Sequence, residues 1–380
     1  MVAIDSYAGG DGRMSPLSTP SATRAVLEAH GIGTKYTLGQ NFLVNDDVLK
    51  KIIALAEVGE NDRILEVGPG IGTLTIALLK HAAGVVAIER DPDLPAVLAD
   101  TLHPWREKFA LIEKDALDVT RDDIVAAMVE IGGDTGYPDR ASSAANETAQ
   151  WAVSQSEDCL SESGYPVAPP QEDLQLSLPS KLVANLPYAV AATVVLDYFE
   201  SFPFLDSATI MVQKEVADRM AAAVGTKNYG AYTVKLGLYA EPVGRFAVGP
   251  GNFFPPPRVD SAVIRLNRHV PLMADGAPAS PEVIAAAALM ADAAFTNRRK
   301  TIANSCKTYF SGRSPILLGV ADSSAAEGAP TIALPDGAAT AERLPAIFEA
   351  AAIDPRRRGE TLTQQEFLAL GAALLKVTAA

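Results

Sequence analysis

Cysteine is nearly absent: Cys159 and Cys306 are the only two in 380 residues. Two thiols build no disulfide framework, and no Cys/His cluster has the spacing of a metal site, so no metal is expected. Long apolar runs are missing too. A membrane-spanning helix needs about eighteen consecutive apolar residues, and none occurs. The segment from Met1 to Arg13 has no basic patch followed by an apolar run, so no secretory signal is expected and the cytoplasm is the expected compartment. Positive charge is also scarce. The chain carries 32 Lys and Arg against 46 Asp and Glu, a net charge of -14, which by itself argues against a nucleic-acid partner.

The distribution of that charge weakens the objection. Residues 121–180 hold eleven carboxylates and two arginines, and so supply nine of the fourteen excess negative charges. The stretch is rich in Ser, Gly, Pro and Ala without periodicity, which marks residues 134–178 as a solvated insertion. The basic residues gather elsewhere, at Arg298-Arg299-Lys300, Lys307 and Arg356-Arg357-Arg358. Lysine and arginine suit phosphate contacts, so this cluster predicts a face for RNA.

Residues 1–21 read as a flexible extension. A helix is expected over Ala22–His30, and a second after Asn45 or Asp46 as N-cap. Strands are expected at Arg63–Val67, Gly84–Glu89 and Phe109–Glu113, and again at Lys181–Ala184, Thr209–Gln213 and Ser261–Leu266. The first three recur about every twenty to twenty-five residues with helical material between, the rhythm of a doubly wound parallel sheet. From about Pro271 the composition turns to alanine-rich helix, with Ser280-Pro281 as a start signal. Residues 311–345 read as a second, loose insertion, and Gln364–Leu375 as a helix. The domain plan is a catalytic α/β domain over residues 22–268 and a small helical domain over 269–380.

Two segments carry the chemistry. Ile64-Leu65-Glu66-Val67-Gly68-Pro69-Gly70-Ile71-Gly72 reads as a buried strand running into a glycine turn and a helix. Glycines after a strand let the backbone approach a ligand closely. The third glycine comes one residue early for a dinucleotide fingerprint, and Pro69 stiffens the turn. That suits an uncharged sugar and a methionine-like tail better than a diphosphate. Glu89 stands twenty-one residues after Gly68, where an acid accepts from both ribose hydroxyls. Asp115, after the third strand, is placed to accept from an adenine amino group. The set points to S-adenosylmethionine.

Asn185-Leu186-Pro187-Tyr188 supplies the other half. An exocyclic adenine amine is a poor nucleophile because its lone pair is delocalised into the ring. The Asn185 side-chain oxygen and the Leu186 carbonyl can each accept one of its N–H groups, which favours a pyramidal nitrogen with its lone pair free. This is orientation and electrostatic preorganisation, with no strong base. Tyr188 is expected to stack on the base, and Phe253 of Phe253-Phe254-Pro255-Pro256-Pro257 to form the second face of the clamp. The bland alternative is that these phenylalanines plug the core.

These residues resemble the ribosomal RNA adenine dimethyltransferase family, of the KsgA type acting on small-subunit RNA. The blocks Gly39-Gln40-Asn41-Phe42-Leu43, the Gly68 turn, Asn185-Leu186-Pro187-Tyr188, Phe254-Pro255-Pro256-Pro257-Arg258-Val259-Asp260-Ser261-Ala262 and Arg298-Arg299-Lys300-Thr301 fall in family order. The resemblance implies a Rossmann-like S-adenosylmethionine-dependent methyltransferase sheet with a C-terminal helical domain. It implies two methyl additions to each of two adjacent adenosines in a hairpin near the 3′ end of 16S rRNA, within the small ribosomal subunit or its precursor. It also implies that Asn41 and Leu43 line the cofactor site with Gly68, Gly70, Glu89, Asp115 and Asn185. A monomer is expected. Rival readings are a resistance-type methyltransferase of large-subunit RNA, a non-catalytic ribosome assembly factor and a nicotinamide oxidoreductase. The basic helical tail and the Phe-Pro-Pro-Pro segment favour the small-subunit enzyme over the first. Intact Asn185 and Tyr188 count against the second, and the early third glycine against the last.

Overall fold

The computed structural model describes residues 12–32, 41–131, 178–311, 313, 316–319, 331–334 and 336–379. Helix α1 (Pro20–Ala29) and the short strand β1 (Phe42–Leu43) precede α2 (Asp46–Ala56). Asn45 is the N-cap of α2, its side-chain oxygen accepting from the backbone of Asp47 and Val48. Then the α/β alternation sets in with β2 (Arg63–Val67), α3 (Thr73–Leu79), β3 (Gly84–Ile88), α4 (Leu94–Thr101), β4 (Phe109–Ile112) and α5 (Arg121–Glu130). It resumes after the acidic stretch with β5 (Lys181–Asn185), α6 (Ala191–Ser201), β6 (Ser207–Gln213), α7 (Lys214–Met220) and α8 (Ala231–Gly237). The domain closes with β7 (Ala240–Val248), the two-residue β8 (Phe253–Phe254) and β9 (Ser261–Arg268).

Seven strands make one sheet in the order β4-β3-β2-β5-β6-β9-β7. The first five are parallel; β9 runs antiparallel to β6, and β7 antiparallel to β9. The central strands β2 and β3 are buried along almost their whole length, as expected for strands covered by helices on both faces. The chain builds outward from β2 to β4, then returns to β5 on the other side of β2. That reversal makes the β2/β5 junction the switch point, where open sheets of this kind hold ligands. Pairing between the two strands stops at Leu65 and Leu182, short of their ends at Val67 and Asn185. A crevice opens beyond.

Strand β7 is absent from the sequence-based expectation. Pro242 and Gly244 interrupt its apolar pattern, and the register shifts between them. As the outermost strand of the sheet, β7 tolerates a proline that a central strand does not.

The helical region comprises α9 (Pro281–Phe295), α10 (Ile302–Ser311), α11 (Gly337–Ala350) and α12 (Gln364–Ala379), with the antiparallel pair β10 (Ile316–Gly319) and β11 (Thr331–Leu334) between α10 and α11. Ser280 caps α9 as expected. Tyr229 and Val234, from the α7–α8 stretch, join the same apolar cluster as Met290, Phe310, Phe348 and Phe367. The helices therefore share a core with the end of the α/β domain.

Three boundaries need correction. Residues 12–21 are not a loose extension: Leu17 is 1% exposed inside a core cluster, and Asp46 accepts from Met14 N at 2.7 Å and Ser15 N at 3.3 Å. A buried leucine and satisfied amides fix the segment; only residues 1–11 of the expected extension lie outside the described residues. The loose segment expected over 311–345 contains the start of α11, whose Leu344, Ile347 and Phe348 are buried. Its alanine-rich opening hid that apolar stripe. The acidic insertion lies outside the described residues except for Leu178, which is buried in the main core.

Candidate active site

A cavity of about 540 Å³ occupies the crevice at the carboxyl ends of the strands. It brings together Asn41, Leu43, Gly68, Gly70, Glu89, Asp115, Asn185, Leu186 and Tyr188, nearly the whole expected site. Gly39 and Gln40 lie outside the described residues.

The glycine turn forms one wall. Gly70 holds φ +61°, and a Cβ there would sit 3.2 Å from the Phe42 ring. Only glycine takes this conformation without strain in so close a contact. A Cβ on Gly68 would stand 3.5 Å from Pro187 Cδ, so the glycine turn and the Asn-Leu-Pro-Tyr turn lie against each other across the switch point.

Glu89 sits at the end of β3. Its Oε1 accepts from the backbone of Arg90 at 2.9 Å and of Asp91 at 2.8 Å. Burial raises its carboxyl above the ordinary value, against the pull of those N–H groups. Asp115 follows β4. Its Oδ1 accepts from Leu117 N at 3.1 Å and its Oδ2 from Arg90 Nη1 at 2.8 Å. Those two bonds, the backbone one foremost, hold its carboxyl below the ordinary value. The two acids thus differ: one is desolvated, the other firmly ionised.

Asn185 ends β5. Its Nδ2 donates to the Asn41 carbonyl at 3.2 Å, which turns the side-chain oxygen into the acceptor left for a ligand. Leu186 N donates to Met211 O at 3.1 Å, and Pro187 O accepts from Val190 and Ala191 N–H. The turn is pinned on both sides of the Leu186 carbonyl. The Tyr188 hydroxyl lies 2.6 Å from Ser261 Oγ, which fixes the ring. Burial raises its phenol further above neutral pH.

Residues 33–330 match the sequence profile of the family described as ribosomal RNA adenine dimethylase. The chain belongs to that family. A relative named ribosomal RNA small subunit methyltransferase A, from Geobacillus sp. strain WCH70, is 33% identical over 362 residues, covering 95% of this chain and 98% of the relative. One of the same name from Corynebacterium jeikeium strain K411 is 31% identical over 377 residues, covering 94% and 96%. A dimethyladenosine transferase from Plasmodium falciparum superposes with a TM-score of 0.55 at 20% identity, covering 88% of this chain and 98% of that one. The 23S rRNA methyltransferase ErmE superposes at 0.50, also at 20% identity, covering 88% and 99%. These two likenesses establish the fold: a Rossmann-like methyltransferase sheet.

Dimethylases of this kind use S-adenosylmethionine, and the cavity fits such a molecule. Its glycine wall has little room to spare, since a Cβ on Gly70 would stand 3.2 Å from the Phe42 ring. It holds a buried acceptor with no partner, Glu66 Oε2. Glu66 is the cavity residue that the motif reading passed over. It is 1% exposed, next to the last residue of β2, and burial pushes its carboxyl up to about 8. The signal was available: an acid inside an otherwise apolar buried strand is costly and needs a reason.

One expected site residue does not line the cavity, and one of the cations expected to face RNA is already engaged. Phe253 is 4% exposed and packs in a core cluster with Phe42, Val248 and Val263. It pairs with Leu43 across the β1–β8 ladder, which ties it to the scaffold, and it does not line the crevice. Arg298 is exposed but engaged, with Nε 2.8 Å from Glu360 and Nη2 3.0 Å from Thr226 O. Arg299 and Lys300 beside it are exposed. Among the described residues no group of three or more His, Cys, Asp or Glu is placed to hold a metal, and no helix is long and apolar enough to cross a membrane.

Proposed function

We propose that this chain moves methyl groups from S-adenosylmethionine to N6 of two adjacent adenosines in a hairpin near the 3′ end of 16S rRNA, giving N6,N6-dimethyladenosine. The substrate is the small ribosomal subunit or its precursor, and the enzyme works as a monomer in the cytoplasm. The observation that carries the reading is that the Asn185-Leu186-Pro187-Tyr188 turn lines the same cavity as Glu89 and Asp115. The names and coverage of the relatives favour the small subunit.

In this reading Glu89 accepts from the ribose hydroxyls, and Asp115 from the adenine amine of the methyl donor. Asn41, Leu43, Gly68 and Gly70 close the pocket around the donor, with Asn185 at its reactive end. S-adenosylmethionine supplies an electrophilic methyl group. The protein supplies geometry: Asn185 Oδ1 and the Leu186 carbonyl take the two N–H groups of the target amine, so the nitrogen turns its lone pair outward. Tyr188, held by Ser261, stacks on the extruded base. Its aromatic partner is not Phe253, which lies in the core. Arg299 and Lys300 contact RNA phosphates, with Arg298 alongside.

The test is incubation with labelled methyl donor and undermethylated small subunits, then mapping of the label. Label on two neighbouring adenosines of the 3′ hairpin supports the reading. Label confined to large-subunit RNA in a parallel reaction would move the assignment to the other ribosomal subunit. Binding without label would make the chain an assembly factor.

A further inference from the structure

Arg90 lines the same cavity and has no part in the scheme above. It follows Glu89 directly, and it touches both acids. Its backbone N–H donates to Glu89 Oε1 at 2.9 Å, while its guanidinium reaches Asp115 Oδ2 at 2.8 Å. Its side chain is 54% exposed, so it spans the ends of β3 and β4 at the rim of the crevice and not in the core.

We propose that Arg90 is a positioning residue that sets selectivity for a 6-amino purine at the cofactor site. The inference rests on the assignment of Asp115 to the adenine end. A carboxylate oxygen offers two lone-pair directions. Arg90 takes one on Oδ2 and Leu117 N one on Oδ1, which leaves each oxygen one direction and fixes the plane of the group. Held so, the carboxylate accepts from an exocyclic amine and repels a carbonyl oxygen in the same place. An unrestrained carboxylate can swing to accept the ring N–H that a 6-oxo purine carries, and the discrimination fades. The strength of the effect lies in orientation, because an exposed ion pair adds little by itself.

The experiment measures calorimetric dissociation constants of the full chain for S-adenosylhomocysteine and for S-inosylhomocysteine, which has oxygen in place of the amine. Wild type should prefer the adenine compound by about a hundredfold, the scale of one hydrogen bond to a charged group. Arg90→Met should cut that preference about fivefold or more, and Arg90→Lys should restore part of it. Asp115→Ala is the control and should abolish the preference. If Asp115→Ala loses the preference and Arg90→Met keeps it, the role of Arg90 is overturned while the adenine assignment stands. If Asp115→Ala keeps it, the assignment itself fails. Tighter binding of S-adenosylhomocysteine by Arg90→Met would show the guanidinium competing with the adenine, and would also overturn the proposal. Should Arg90→Met not fold, Arg90→Lys carries the same comparison, and an unchanged preference there counts against it.

Discussion

Asn185 acts through one oxygen. Because its Nδ2 is spent on the Asn41 carbonyl, the amide cannot flip without losing a bond, and Oδ1 keeps facing the crevice. Asn185→Ala removes that acceptor but none of the acids assigned to ribose and adenine. Methylation should fall by about a hundred- to a thousandfold, the usual effect of losing one preorganised polar group. The dissociation constant for S-adenosylhomocysteine should move much less. A variant that methylates at the wild-type rate would refute the amine-positioning role. Glu66 allows a different test, on the empty protein. Burial pushes its carboxyl up to about 8 from an ordinary 4.5. Between those values the folded chain keeps a proton that the unfolded chain has lost. The contribution of Glu66 to stability is therefore full below about pH 4.5 and is lost as the pH rises through about 8. Glu66→Gln cannot ionise, so it should melt like wild type near pH 5 and clearly above it near pH 9. At about 1.4 kcal/mol per pKa unit the gap amounts to a few kcal/mol. Parallel melting curves across that range would show that Glu66 ionises freely in the fold. Asn185 was legible from sequence because it sits in a short dense motif. Glu66 stood out only as an acid in an otherwise apolar strand and belonged to no motif, and Phe253 was read as a clamp because a ring beside prolines reads equally as clamp or core.

Elements were legible where one periodicity held from end to end. The strands β2 to β6 are mostly apolar, and the expected spans overlap the observed ones. Where local chemistry conflicts with tertiary context the signal fails. In β7 the pair Pro242 and Gly244 disguises an edge strand. In α11 a run of small residues and an internal proline, Pro345, disguises a packed helix. The contact between α9 and α12 shows the same conflict in energetic form. Gly371 lies within α12, where glycine costs about 1 kcal/mol relative to alanine. Yet a Cβ there would stand 2.6 Å from Ala287 N and 2.7 Å from Val283 O on α9. Both are backbone atoms and cannot rotate aside. Overpacking of this kind costs about 1–3 kcal/mol or more, which outweighs the propensity gain. Gly371→Ala should lower the unfolding free energy in urea by about 1–2 kcal/mol; a stabilised variant would show that the two helices slide apart freely.

At the scale of the whole molecule the puzzle is a chain of net charge -14 that must meet a polyanion. Much of that excess is confined to residues 121–180, and the part of it in α5 belongs to a helix whose Asp123 is paired with Lys114 at 2.5 Å. The charges that face RNA in the proposed reading are few, so each matters, but they are not equivalent. Arg298 is held by Glu360, Arg356 by Asp354 at 2.9 Å and Arg357 by Glu366 at 2.5 Å. A paired arginine must give up its carboxylate to bind a phosphate, and so returns less affinity. Arg299 and Lys300 are exposed beside them. Each phosphate that a cation neutralises releases counterions, and the slope of log affinity against log salt falls by about 0.7 to 0.9 per contact. Replacing Arg299 and Lys300 together by glutamine should therefore weaken binding to small subunits and flatten that slope by roughly 1.5. Arg298→Gln alone should change it by much less than one contact. Filter binding from low to moderate salt measures both. Equal slopes for wild type and the double variant would mean that the RNA lies on another face of the helical region.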